Sequence, residues 1–196
     1  MDLIIQDVRI AKYRALSTNR RLGGSPILVQ PVLFLGPGEI ALGRDVEFGW
    51  PTSSNFYAGY CHVEASTSDS KIEIGDGAQI NNNAFIKSEG PGIKIGPRAL
   101  LGSHVTIYDS DFHDLRVGRR RGGQPGMGAV ELAEEVFVGD RVIILKGVRI
   151  GAHSVIGAGS VVTSSIPDRV IAAGNPARIV GAVPDSVTEI SDARER

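Results

Sequence analysis

A single cysteine, Cys61, occurs among the 196 residues, so no internal disulfide can form and the fold must be held by packing and hydrogen bonds. With no partner thiol it reads as a small buried residue. Charge of either sign is scarcely in excess. The formal net charge is -1, which offers no global attraction for nucleic acid or an anionic membrane and leaves partners to be recognised by local sites. No apolar run approaches the roughly 18 residues of a membrane span. The opening MDLIIQDVRIAKYR, whose short apolar patch is flanked by Asp2 and Asp7, does not read as a secretory signal. A soluble cytoplasmic protein is therefore expected. Motifs of covalent and nucleotide chemistry are missing as well: there is no Gly-rich phosphate loop ending in Lys-Ser or Lys-Thr, no G-x-S-x-G and no local Cys–His signature. Aromatic residues make up only 6% of the chain, against 25 glycines, a composition suited to many corners and narrow layers.

What is present is a period of six. From Val138 the chain reads VGDRVI ILKGVR IGAHSV IGAGSV VTSSIP, with Val138, Ile144, Ile150, Ile156 and Val162 in strict register. The residue four places after each (Val142, Val148, Ser154, Ser160, Ile166) is small or aliphatic. A 3.6-residue helical period cannot keep every sixth residue on one face, and plain alternation does not place Gly after the aliphatic residue. The pattern predicts an all-β parallel β-helix, a solenoid in which each rung is buried only by the rungs above and below. Glycine after the aliphatic residue suits a tight corner.

Taken in order, residues 1–35 lack the period. VRIAKYRALS reads as a short helix or an edge strand, and Arg14, Arg20 and Arg21 as solvated surface. Leu42 and Phe48 begin the ladder, Trp50-Pro51 interrupts it, and Phe56, Tyr57 and Tyr60 in the following irregular stretch suit either sugar stacking or an end cap. The register returns with Ile74, Ile80 and Ile86, slips by three residues, and continues with Ile95, Leu101 and Ile107. The expected organisation is an N-terminal segment over 1–35, a solenoid over 36–167 with a long excursion loop over 108–137, and a C-terminal tail over 168–196 whose last dozen charged and polar residues fray.

Of the four histidines, His62 carries no signal, and His104 and His153 hold the outward fourth place of their hexads. His113 differs, because YDSDFHDL surrounds it with Asp109, Asp111 and Asp114 at the root of the long loop. A carboxylate beside an imidazole fixes its tautomer and favours a general base near neutral pH. An ordinary loop histidine remains the other reading. Zinc held by His104, His113 and His153 is a lesser option without a local ligand motif, and Arg116, Arg119, Arg120 and Arg121 could meet phosphate or simply be solvated.

The rungs, the YDSDFH segment and the closing VIGAGSVVTSSIPDRVIAAGNPARIVG together resemble the hexapeptide-repeat acetyltransferases, particularly the maltose, galactoside and capsule or O-antigen sugar O-acetyltransferases, over about residues 72–181. The resemblance implies a left-handed parallel β-helix with three hexads per coil, an exception to the right-handed crossover preference. It also implies a homotrimer with acetyl-CoA and a sugar or glycan acceptor meeting between subunits. His113 falls on the family's base and Asn83 on its nearby asparagine; Asp111, or Asp109, beside the histidine in sequence is expected to orient it. Acetyl-CoA contacts fall on Asp140, Ala158, Thr163, Ser164 and Arg178. For the mechanism, a backbone N–H near Gly139 and Asp140 is expected to meet the oxyanion, because a rigid rung holds a donor in place before reaction. Phe137, Ser164, Asp140 and Asn81 depart from the family's commoner tryptophan, lysine, small hydroxyl residue and tyrosine, and the helical N-terminal segment of the maltose and galactoside enzymes is not recognisable. No resident metal is implied. The reaction expected is O-acetylation of a sugar or polysaccharide hydroxyl; N-acetylation of an amino sugar, a zinc hydratase and a non-catalytic trimeric scaffold are the alternatives.

Overall fold

The computed structural model describes residues 2–184, so the last dozen residues, read above as fraying, lie outside the described part. After α1 (Asp2–Leu16) the chain winds through repeated triangular coils. Coil one holds β1 (Leu22–Gly23), β2 (Ile27–Leu28) and β3 (Val32–Leu35), and coil two holds β4 (Glu39–Leu42), β5 (Glu47–Phe48) and β6 (Cys61–Ala65). Coil three holds β7 (Lys71–Ile74), β8 (Gln79–Ile80) and β9 (Phe85–Ser88), and coil four holds β10 (Ile93–Ile95), β11 (Leu100–Leu101) and β12 (Thr106–Tyr108). Coil five holds β13 (Val130–Leu132), β14 (Phe137–Val138) and β15 (Ile143–Ile144), and coil six holds β16 (Arg149–Ile150), β17 (Val155–Ile156) and β18 (Val161–Val162). Equivalent strands stack in parallel into three sheets, here called the first, second and third faces. The architecture is the left-handed parallel β-helix that the resemblance implies.

The six-residue register is the packing register. Val138, Ile144, Ile150, Ile156 and Val162 are all 0% exposed, and the residues four places on are buried beside them. Each rung thus contributes two inward side chains per hexad, and a buried Ile or Val of this kind stabilises by about 1.5–3 kcal/mol. The glycines after the aliphatic residue are required by the neighbouring coil rather than by the turn itself. A Cβ on Gly139 would lie 2.6 Å from the Ala158 nitrogen, and one on Gly151 would lie 2.3 Å from the Asp168 nitrogen, so it is the closeness of the next coil that requires glycine. The left-handed φ falls two places later, at Arg141 (58°), His153 (59°) and Gly159 (73°).

Three boundaries differ from the sequence reading. The coils begin at Leu22 rather than near residue 36, because coil one is short-stranded and its first strand is exposed, which hides the period. The N-terminal segment is the helix α1, held on the solenoid by Gln6 and Arg9, which donate to the carbonyls of Val29, Phe56 and Gly59, and by Tyr13 against Tyr60 at 4.6 Å. Phe56 is buried and Tyr60 is spent on the helix, so the end-cap reading of these aromatics prevails. Finally, the excursion closes at residue 129, since Val130, Leu132 and Val136 point inward one hexad before Val138. The C-terminal segment is not a loose tail: β19 (Val170–Ala173) continues the second face in parallel with β17, and β20 (Arg178–Ala182) returns antiparallel to it.

Candidate active site

With the lumen filled, reactive groups are confined to outward positions and corners. The corner between the second and third faces carries Asn83 in coil three, His104 in coil four, Asp140 and Arg141 in coil five, and Ala158 in coil six. Arg178 lies at the same edge, paired with Ala173 at the end of β19. The corner between the third face and the next coil's first face carries the excursion with Asp111 and His113, then Lys146, then Thr163 and Ser164. The predicted site residues therefore fall into two columns on different corners of the prism. At about 3.3 Å per residue, a face of roughly six residues separates neighbouring corners by up to about 20 Å.

At the third corner the excursion is closed at its base by a buried carboxylate. Asp109 is 0% exposed and accepts from the Ser88 hydroxyl at 2.6 Å and from the backbone N–H groups of Glu89 at 2.9 Å and Gly92 at 2.9 Å. It anchors the loop and is not the histidine's orienter. Asp111 is not that orienter either: its side chain meets Lys146 Nζ at 3.2 Å, and only its carbonyl accepts from the His113 N–H. The His113 imidazole is exposed, with Nδ1 3.0 Å from the Arg120 carbonyl. A carbonyl can only accept, so Nδ1 carries the proton and Nε2 presents its lone pair. Phe112, with φ 60°, packs edge-on to Tyr108 at 5.0 Å and lies under Lys87 Nζ at 5.4 Å. Arg116 and Arg119 are taken up by the buried Asp114, at 2.6 and 3.5 Å, leaving Arg120 and Arg121 without an ion pair among the described residues.

At the second corner three consecutive asparagines brace the 49–60 loop. Asn81 donates to Ser53 Oγ at 2.9 Å, and buried Asn82 accepts from the Trp50 N–H at 2.8 Å and donates to the Trp50 carbonyl at 3.1 Å. Asn83 sits at φ 62° with Nδ2 3.4 Å from the Ser54 carbonyl. The bracing role of Asn82 was missed, although the INNNAF run beside an irregular stretch was its signal. The Gly139 N–H donates to the Ile156 carbonyl and is committed to the rung, so of the two positions where the oxyanion donor was expected only Asp140 is left. The Asp140 carboxylate accepts from the Ser103 N–H at 2.7 Å, so its side chain caps a turn. Beside this corner a groove of about 410 Å³ runs over the second face, lined by Trp50, Leu100, Phe137 and Asp140.

Other titratable groups are structural. Burial pushes the Cys61 thiol up to about 12. His62 pairs with Glu64 at 2.8 Å and stacks on Phe85 at 4.5 Å. Burial alone would raise the Glu64 carboxyl, but hydrogen bonds from His62 and Ser66 and the charge of Lys87 outweigh it and hold the carboxyl below its usual range. His104, His113 and His153 stand on three different corners, and no three His, Cys, Asp or Glu side chains among the described residues converge as a metal site.

Triangular coils of hexads, with the expected site residues at the corners, define a hexapeptide-repeat protein. Residues 129–164 match the family described as bacterial transferase hexapeptide (six repeats). The chain is 38% identical to a galactoside O-acetyltransferase of Lactococcus lactis over 59% of its length and 55% of that protein's. It is 35% identical to a galactoside O-acetyltransferase of Escherichia coli, over 59% of this chain and 56% of that protein. It thus spans little more than half the length of these curated relatives. A crystal structure of a hexapeptide-repeat acetyltransferase from Vibrio cholerae superimposes with a TM-score of 0.57 at 25% identity, covering 93% of this chain and 86% of that one. No helix among the described residues is long and apolar enough to cross a membrane.

Proposed function

We propose that the protein is an acetyl-CoA-dependent O-acetyltransferase acting on a sugar or glycan hydroxyl, with His113 as the general base and its active sites between the subunits of a homotrimer. The observation that carries this reading is the His113 imidazole: exposed, tautomerically fixed by the Arg120 carbonyl, with Nε2 free to accept a proton. Nε2 takes the acceptor hydroxyl proton as that oxygen bonds to the thioester carbonyl carbon, an effect typically worth about 10²–10⁴ in rate. The developing oxyanion is met by the Asp140 N–H, held on a rigid rung. When the C–S bond breaks, the imidazolium returns its proton to the departing thiolate, so His113 ends neutral.

Two columns on different corners call for two chains. The third corner of one subunit supplies His113, Thr163 and Ser164, and the second corner of its neighbour supplies Asn83, Asp140, Ala158 and Arg178. The excursion is suited to bridge them, since Leu115 and Val117 at its tip are 68% and 95% exposed and the groove over Trp50, Leu100 and Phe137 offers them an apolar seat. Lys146, Arg178 and the unpaired Arg120 and Arg121 are the cations available to coenzyme phosphates.

The test is His113→Ala. Acetyl transfer to glycans should fall by about 10²–10⁴, with acetyl-CoA affinity by calorimetry nearly unchanged. Equal turnover would refute the assignment. Alkali-labile products distinguish esters from the amides of an N-acetyltransferase.

A further inference from the structure

Solenoid ends need caps, because inward side chains of a terminal coil are covered on one side only. Here the N-terminal cap is incomplete. Residues 17–19 close the third face, with the N–H groups of Thr18 and Asn19 both donating to the Phe34 carbonyl. Toward the corner between the first and second faces a hollow of about 370 Å³ lies over the first coil. Its apolar lining is Leu22, Leu28, Val32 and Phe34, and its rim holds Arg14 and Arg20. Arg21, beside them in sequence, is neutralised by Glu39 at 3.5 Å. Arg14 and Arg20 have no ion pair among the described residues. Two uncompensated guanidinium groups over an apolar cup favour an anion that carries an apolar chain: the head engages charge-assisted hydrogen bonds and the chain replaces the missing rung.

We infer that the N-terminal mouth of the solenoid binds a lipid phosphate, with the phosphate on Arg14 and Arg20 and the start of the chain over the exposed Leu22 and half-buried Leu28, above a floor of buried Val32 and Phe34. An inorganic anion alone leaves the cup unfilled, and an uncharged amphiphile leaves both arginines without a partner. The acetyl-transfer reading enters only for the role of the bound lipid. Coils rise about 4.8 Å each, so a glycan tethered through its lipid phosphate at coil one would need to extend about 15 Å along the axis and up to about 20 Å across a face to reach the excursion of coil four. The acceptor class this implies is a lipid-phosphate-linked glycan.

The experiment is calorimetric titration of the full chain with octyl phosphate below its micellar concentration, inorganic phosphate and octyl maltoside. Octyl phosphate should bind at least tenfold more tightly than either of the others. Arg14→Gln/Arg20→Gln should weaken it at least tenfold, and Leu28→Trp, which fills the cup, should do the same, both with acetyl-CoA affinity unchanged. Equal affinity for inorganic phosphate, equal affinity for octyl maltoside, or indifference to both variants overturns the inference. So does end-to-end self-association that Leu28→Trp abolishes, because a second copy would then be the occupant. The titration involves no acetyl transfer, so its failure leaves the catalytic reading standing, and failure of transfer leaves this site standing.

Discussion

If the active site is shared between chains, two inactive variants should repair one another. The pair to use is His113→Ala, which removes the base from the third corner, and Asn83→Asp, which removes the amide donor from the second. Aspartate shares asparagine's tolerance of left-handed φ, so the 62° backbone at this corner is kept. A cyclic trimer repeats one heterologous contact, so each cleft takes one corner from each of two neighbouring chains. After random mixing at equal amounts, a cleft is intact when the chain offering its third corner has native His113 and the neighbour has native Asn83, which occurs in about a quarter of clefts. Subunit exchange should therefore recover about 25% of wild-type turnover from parents that each retain far less, His113→Ala being lowered by about 10²–10⁴. The assay is thiol release from acetyl-CoA with a glycan acceptor. Cys61 will not contribute to its background, as it is fully buried and its thiol is pushed up to about 12. Recovery no greater than the mean of the parents would refute the two-column reasoning and put the working residues within one chain.

Three further outcomes follow from the packing. Asp109→Ala strands the Ser88 hydroxyl and the N–H groups of Glu89, Gly90 and Gly92 without their acceptor, at a cost of about 3–5 kcal/mol. The melting midpoint should fall by about 6–20 °C; a loss under about 1 kcal/mol in urea unfolding contradicts the anchoring role. Glu64→Gln should flatten the acid limb of stability. A carboxyl held below its usual range contributes stability above that range and loses it as pH falls through the native value. Urea midpoints should therefore drop less between about pH 7 and pH 3 in the variant than in the wild type, and an equal or steeper drop counts against it. Gly139→Ala should cost about 3 kcal/mol through its clash with the Ala158 backbone. Gly159→Ala, facing open space at φ 73°, should cost about 1 kcal/mol. The reverse order in denaturant melts would contradict the inter-coil explanation.

The coils were legible because burial in a solenoid is strictly periodic: Ile74, Ile80, Ile86, Ile95, Leu101 and Ile107 are all buried at the spacing the sequence displays. Legibility fails where the period is interrupted or unsupported. In coil one, Leu22 and Ile27 are exposed, so no inward alternation marks it. In coil five, Leu132 stands six places before Val138, yet Ala133 and the Glu134-Glu135 pair replace the glycine corner that usually announces a rung. The roles of Asp109 and Asp111 were not legible at all. Both precede a candidate base, and sequence proximity cannot tell a carboxylate folded inward onto Gly92 from one paired with Lys146, or either from an orienter. The orienting acceptor turned out to be a carbonyl, which every residue possesses and no sequence pattern displays.

The division between frame and excursion also explains why the chemistry should sit in the break. A rung cannot place a bulky polar side chain inward, because its lumen is filled by aliphatic residues from adjacent coils, and on a face its side chains stand in ladders spaced by the coil repeat. If the base approaches a neighbouring chain, as proposed, it needs reach, which only an inserted loop supplies. Reach costs order, and this loop recovers it at both ends. Asp109 and the Asp111 N–H bond to Gly126 fasten its root, and Asp114 with Arg116 stiffens its middle. What remains unsupported in one chain is the tip, where Leu115 and Val117 face solvent. Burying two such side chains is worth about 1.5–3 kcal/mol each. That is enough to favour a seated tip over a free one by roughly two orders of magnitude or more, and a seat in the neighbour's groove would fix His113 against the second corner only once the subunits have assembled.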